Sequence, residues 1–139
     1  MNRYLLDTNH IGEAIGRVSV VRDRVQRQHR RGEVFATCGP VLCELFVGLA
    51  SRKDEAKSRR RINTLLHVLR IWPVDMEIAD HYADVYHALQ KAGRALSQVD
   101  MILAEMARHF KAVLLTTDQD FQALPDVRTE DWLAKSARD

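Results

Sequence analysis

The stretch Arg3-Tyr4-Leu5-Leu6-Asp7-Thr8-Asn9 limits what this chain can fold into more than any other. Tyr4, Leu5 and Leu6 form a short unbroken apolar run, the pattern of a strand buried on both faces of a parallel sheet. The run stops at Asp-Thr-Asn, residue types that favour turns and helix N-caps, and apolar residues resume from Ile11 to Ile15. The local reading is strand, tight turn, helix. In an open α/β sheet such a turn lies at the carboxyl edge of the strands, where ligands bind. Asp7 is then either a cap for the next helix or a carboxylate directed at a crevice. Whether other acids reach the same edge decides between the two.

The rest of the chain supplies the sheet. Val18 to Arg31 has valines at 18, 21 and 25 on one side and arginines elsewhere, which predicts an amphipathic helix closed by Gly32 at C′. Val34–Thr37 is a second strand candidate. Gly39-Pro40 turns into an apolar helix through Val41, Leu42, Leu45, Phe46 and Leu49, with Glu44 among them. Acids are seldom buried without a partner, so Glu44 needs an explanation. Ser51–Arg70 predicts a long helix with its apolar residues (Ile62, Leu65, Leu66, Leu69) late, followed by an edge strand at Ile71–Val74 that contains Pro73. A helix over Met76–Ala92 is capped by Asp75, stopped by Gly93, and faces inward with Ile78, Ala79, Tyr82, Val85, Tyr86 and Leu89. The next helix runs from Ser97 to Phe110 and carries Asp100 in its first turn. Ala112–Leu115 is the clearest buried strand, ending in Thr116-Thr117-Asp118-Gln119-Asp120-Phe121. A short helical turn, an edge strand near Val127 and a segment holding Trp132 are expected to complete the chain. Strands alternating with helices predict an α/β/α sandwich with a mainly parallel central sheet, in one domain over residues 1–139.

Composition excludes several classes. No signal-peptide h-region and no run of membrane-span length is present, so the expectation is a cytoplasmic chain without membrane association. Cys38 and Cys43 match no CxxC pattern and read as reduced core residues, and the six histidines show no metal-binding pairing. The net charge of +2 hides a division: residues 1–74 carry +7 and residues 75–139 carry −5. The positive charge is concentrated in two segments, Arg17–Arg31 and Arg52–Arg61. Basic segments beside an acidic region suit a nuclease, with cations for phosphates and carboxylates for metal, although each segment alone also fits a solvated helix face.

Four acids fall at equivalent places. Asp7 and Asp118 each follow the end of a strand, Glu44 lies on the helix leaving the second strand, and Asp100 starts the helix that feeds the Ala112 strand. Each has an innocent reading: Asp7 as a cap, Asp100 as the N3 partner of Ser97, Asp118 as a turn residue. Four coincidences on one edge are much less expected than one shared purpose. Two carboxylates about 5 Å apart repel by roughly 3 kcal/mol at an effective dielectric near 20, so four ionised together call for a compensating cation. Oxygen ligands without His or Cys select Mg²⁺ or Mn²⁺, ions that activate water and stabilise charge developing on a phosphodiester.

With these residues in view, the chain resembles the PIN-domain ribonucleases, and most of all the small VapC-type toxins of prokaryotic toxin–antitoxin pairs. The resemblance rests on Leu5-Leu6-Asp7-Thr8-Asn9, Cys43–Leu49, Ser97–Ala104 and Leu115–Phe121, in that order and spacing. It implies a Mg²⁺- or Mn²⁺-dependent endoribonuclease with Asp7, Glu44, Asp100 and Asp118 as catalytic and metal-holding acids. Thr8, Asn9 and Thr116 would hold the site in place, and Arg59, Arg60 and Arg61 would contact RNA. It also implies a homodimer inhibited by a cognate antitoxin. The last motif offers two acids; Asp118 lies nearer the strand end and is taken for the site, with Asp120 as a cap of the following turn.

Two other readings are weighed against this one. A haloacid-dehalogenase-type phosphatase also places an Asp after its first strand, but it needs a second Asp two residues later, where this chain has Asn9. A non-catalytic RNA-binding or adaptor protein on the same scaffold is expected to lack one of the acids, and all four are present.

Overall fold

The computed structural model describes residues 1–133. Five strands, Arg3–Leu6 (β1), Val34–Cys38 (β2), Leu69–Trp72 (β3), Val113–Leu115 (β4) and Thr129–Glu130 (β5), form one sheet in the order β3-β2-β1-β4-β5. Every pairing is parallel, with Leu5 opposite Ala36 on one side and Leu114 on the other. The helices among the described residues are Thr8–Ala14 (α1), Val20–Arg30 (α2), Gly39–Leu49 (α3), Glu55–Leu65 (α4), Met76–Lys91 (α5) and Gln98–His109 (α6). α1 packs on α2 and α3, α3 on α4, and α5 on α6, so the sheet is flanked by helices as the alternating pattern predicts. Among the described residues no helix is long and apolar enough to cross a membrane.

The strand order places β1 at the centre and sends the chain two ways from it. β1, β2 and β3 are laid down outward in one direction, and α5 and α6 then carry the chain back so that β4 joins the other side of β1. The carboxyl ends of β1 and β4 therefore flank a topological switch point, where α/β sheets open a crevice. Leu5, Leu6, Leu114 and Leu115 are fully buried, as expected for strands covered on both faces. Thr37, also buried, donates its hydroxyl to the Leu6 carbonyl at 3.1 Å and ties β2 to the end of β1.

Several local expectations are corrected. α2 begins at Val20 because Ser19, in extended conformation, caps it by accepting from the Arg22 N–H at 3.0 Å. Val18 is thereby left outside the helix and 83 % exposed instead of facing inward. Ser51–Arg70 is not one helix: α4 covers only Glu55–Leu65, and Leu69 enters the sheet opposite Phe35. Pairing with β2 shifts β3 to Leu69–Trp72, ahead of Pro73, which has no N–H to offer a ladder. It is an edge strand as predicted. Likewise β5 is Thr129–Glu130, just beyond the buried Val127.

Two helical faces also differ. In α3, Val41, Leu45 and Leu49 recur every four residues and are buried, which turns Cys43 and Glu44 away from the core. Cys43 is thus an exposed free thiol, whereas Cys38 is a buried one whose pKa is raised by burial. On α5 only Ile78, Val85 and Leu89 are buried, while Ala79 and Tyr86 are exposed and Tyr82 is half-buried. One neighbouring helix, α6, needs only a narrow stripe. The surplus apolar surface of Val74, Ile78, Ala79, Tyr82 and Ile102, with Gln98, lines an open groove of about 180 Å³.

Candidate active site

Asp7 begins the site. It is the N-cap of α1, 7 % exposed, and its Oδ1 accepts the His10 backbone N–H at 2.9 Å. Its own N–H donates to the Leu115 carbonyl at 3.2 Å, so the acid sits where β1 and β4 part. Asp118 mirrors it beyond β4. Its N–H donates to Thr116 Oγ1 at 3.1 Å, and its Oδ1 accepts from the Asp120 N–H at 2.8 Å, which caps the short 3-10 helix Gln119–Ala123. Asp100 is the third residue of α6, and Ser97 Oγ accepts its backbone N–H at 3.1 Å.

Asp7 and Asp118 do cap helices and Asp100 follows the Ser97 cap at N3, yet the charges of all three also act on one another. Burial is the largest cause that pushes the Asp100 carboxyl above the usual range, and the charges of Asp118, Asp7 and Glu44 push it further, opposed by Ser97. Three other acids acting on one carboxyl places all four within electrostatic reach. Asp120 is not among them: it is paired with Arg94 at 3.0 Å. Glu44 stands at the exposed mouth of the cluster, where Thr8 Oγ1 donates to its Oε1 at 2.7 Å.

The supporting residues read from the sequence lie in the same place. Thr8 holds Glu44, Thr116 orients the turn at Asp118, and Asn9 Nδ2 donates to Thr117 Oγ1 at 3.2 Å, joining the start of α1 to the end of β4. Two residues are missed by the sequence reading. Thr117 is one. The other is His10, fully buried, with Nδ1 3.1 Å from Asp7 Oδ1. Its one available signal is its place three residues after Asp7 on a helix whose neighbouring Ile11 and Ala14 are core residues.

The donor set is all oxygen and mutually repulsive, which suits a hard divalent cation. Among the described residues no group of three or more His, Cys, Asp or Glu side chains stands close enough to hold an ion unaided. The acids form an open cluster, so an ion held there would have to keep several waters, as Mg²⁺ does.

From Thr8, Asn9 and Glu44 a groove of about 330 Å³ runs between α1 and α3, past Gly12 and Gly48, to Arg52. The arginines of α4 are separated by the fold. Arg59 pairs with Glu55 at 2.9 Å and lies over the Phe46 ring, whereas Arg60 and Arg61 line an open hollow of about 400 Å³ with Lys57 and Thr64.

Comparison with known proteins follows the same lines. The family described as PIN domain matches residues 4–127. Ribonuclease VapC1 of Haemophilus influenzae (strain R2866) is 28% identical over 134 residues, covering 93% of this chain and 97% of the relative. The crystal structure of VapBC2 from Rickettsia felis, bound to a DNA fragment from their promoter, superimposes with TM-score 0.82 at 22% identity, covering 94% of this chain and 98% of that one. VapBC-1 from nontypeable Haemophilus influenzae gives TM-score 0.75 at 24% identity, covering 95% and 99%.

Burial, and then the neighbouring acids, hold the Asp100 carboxyl above its usual range. A carboxyl raised in the folded state favours folding at low pH, and that contribution is lost as pH rises through the shifted value. Asp100→Asn removes the repulsion and keeps the backbone bond to Ser97. In EDTA near neutral pH, thermal melts are expected to place this variant at or above the wild type, with a flatter response to acid. A variant that melts several degrees lower would leave Asp100 with a capping role only.

Proposed function

This chain belongs to the PIN domain family, and on that premise we propose that it is an endoribonuclease acting as the toxin of a toxin–antitoxin pair. In this reading Asp7, Glu44, Asp100 and Asp118 hold Mg²⁺ or Mn²⁺ and carry the hydrolysis of RNA phosphodiesters. The observation that carries it is geometric: Asp7 and Asp118 stand where β1 and β4 part, at the switch point of the sheet, with Glu44 held by Thr8 beside Asp7.

The residues divide the work by position. Asp7 and Asp118 flank the parting of β1 and β4, and their backbone and capping bonds keep both carboxylates from rotating away. Glu44, braced by Thr8, is the most exposed of the four and lines the groove between α1 and α3. A divalent ion bound there supplies Lewis-acid activation of water and stabilises the charge that develops on the phosphodiester. Asn9 and Thr116 act through the two turns they brace. That its solved neighbours are VapBC assemblies supports a cognate antitoxin as partner.

Incubation of the purified protein with total RNA and Mg²⁺ or Mn²⁺ is expected to give discrete cleavage products that EDTA abolishes. Asp118→Asn should lose this activity by at least about 100-fold, the scale on which preorganised charge acts in catalysis, while Asp120→Asn should keep most of it because Asp120 faces Arg94. Retained cleavage in Asp118→Asn, or loss in Asp120→Asn alone, would exchange the two roles.

Arg59, Arg60 and Arg61 are assigned to RNA phosphates, with Arg60 and Arg61 foremost because they line the open hollow. Replacing Arg60 and Arg61 with Ala should weaken RNA binding and reduce the slope of log K against log salt by about 1 per lost phosphate contact. Replacing Arg59, held by Glu55, should change the slope least. A slope that no variant alters would return α4 to a solvated face.

The homodimer is assigned to the apolar groove over α5 and α6, beside which Met76 is 81 % exposed. Elsewhere, Ile62 and Leu65 of α4 are absorbed in the core, and on α3 Val47 remains exposed. Light scattering at tens of micromolar protein is expected to give twice the 16.0 kDa chain mass. A particle of one chain would count against the dimer.

A further inference from the structure

His10 is fully buried one turn into α1, and both of its ring nitrogens are engaged. The backbone N–H of Trp132 lies 3.1 Å from Nε2. An amide N–H can only donate, so Nε2 is the accepting, unprotonated nitrogen, and the proton of the neutral ring resides on Nδ1. Nδ1 is 3.1 Å from Asp7 Oδ1 and donates to it. The His10 backbone N–H donates to that same oxygen at 2.9 Å. Oδ1 therefore carries two donors, and among the described residues no hydrogen-bond donor reaches Oδ2. The Asp131 carboxylate, at 3.9 Å from Nε2, is too far to displace the Trp132 N–H.

Trp132 is itself well anchored. Its ring tilts against Tyr4 at 5.2 Å between centroids and meets Phe35 edge-on at 6.0 Å, and the Arg24 guanidinium lies 3.7 Å from its centre. Its Nε1 donates to Glu130 at 2.9 Å. A continuous set of contacts thus runs from the segment after β5, through the imidazole, to the acid at the end of β1.

We propose that His10 is a positioning residue for Asp7: the tautomer imposed by the Trp132 N–H saturates Oδ1 and leaves Oδ2 as the oxygen that Asp7 presents to a divalent cation. The proposal rests on the acidic site assigned above. Outer hydrogen bonds of this kind fix the orientation of a ligating carboxylate, and their loss typically weakens metal affinity about 10–100-fold. A histidine present only to fill space is indifferent to which of its nitrogens carries the proton.

Two substitutions separate the two ends of the ring. His10→Gln retains an acceptor at the Nε2 position for the Trp132 N–H and loses the donor to Asp7. His10→Asn retains a donor at the Nδ1 position and leaves the Trp132 N–H without its partner. Free Mn²⁺ measured by electron paramagnetic resonance, without RNA, should show about 10–100-fold weaker binding in His10→Gln. In His10→Asn the affinity should stay near that of the wild type while the melting temperature falls. Unchanged Mn²⁺ affinity in His10→Gln, or equal losses in both variants, would overturn the proposal. So would imidazole ¹⁵N shifts of the metal-free wild type that place the proton on Nε2, a readout that needs no variant to fold. A wild type that binds no Mn²⁺ would overturn the acidic-site reading itself, whereas wild-type binding beside an unaffected Gln variant would overturn the role of His10 alone.

Discussion

The bond from the Asp7 N–H to the Leu115 carbonyl, 3.2 Å long, is the last rung between the two central strands, and the site depends on it. Up to that rung the backbone polar groups of β1 and β4 satisfy each other. Beyond it the strands separate, α1 leaving one way and the Thr116–Asp118 turn the other. The freed backbone groups must find side-chain partners, and Asp7, Thr116 and Asp118 meet that need at the place where a ligand has room. The same rule of hydrogen-bond satisfaction that ends the strands thereby installs carboxylates at the crevice.

Capping also makes the cluster tolerable. Asp7, Asp100 and Asp118 sit at or just inside helix starts, where backbone N–H groups and the positive end of the helix dipole favour negative charge. This support is local to each acid and leaves their mutual repulsion in place: burial first, and then the charges of Asp118, Asp7 and Glu44, raise the Asp100 pKa. Cap and site are therefore one arrangement seen from two sides, the backbone's and the ligand's.

What was legible in the sequence was whatever a period or a chain-local rule expresses. The buried runs at Leu5-Leu6 and Leu114-Leu115, the caps at Ser97 and Asp75, and the glycine stops at Gly32 and Gly93 all depend on near neighbours. The failures share a different cause. Leu69 continues a helical pattern but pairs with Phe35, 34 residues away, so the sheet overrides the local preference. Tyr86 and Ala79 continue an apolar stripe wider than the one helix that covers it. His10 acquires its role from Trp132, 122 residues on. No spacing rule connects those two positions. Of the four acids, the sequence indicates their common edge, whereas the turning of Glu44 toward Thr8 depends on how α3 crosses α1.

The groove between α1 and α3 owes its width to two missing side chains. At Gly12 and Gly48 a Cβ would meet nothing within 4 Å, so neither glycine is required by the packing of the fold. A glycine inside a helix costs about 0.5–1 kcal/mol relative to alanine, and both positions lie within helices. Alanine at either would make the protein sturdier and the passage beside Glu44 narrower. Stability and aperture are thus set against each other at two positions where an added Cβ would meet no neighbour. The size of what reaches Glu44 along this groove can therefore change by a single substitution, without disturbing the sheet that carries the site.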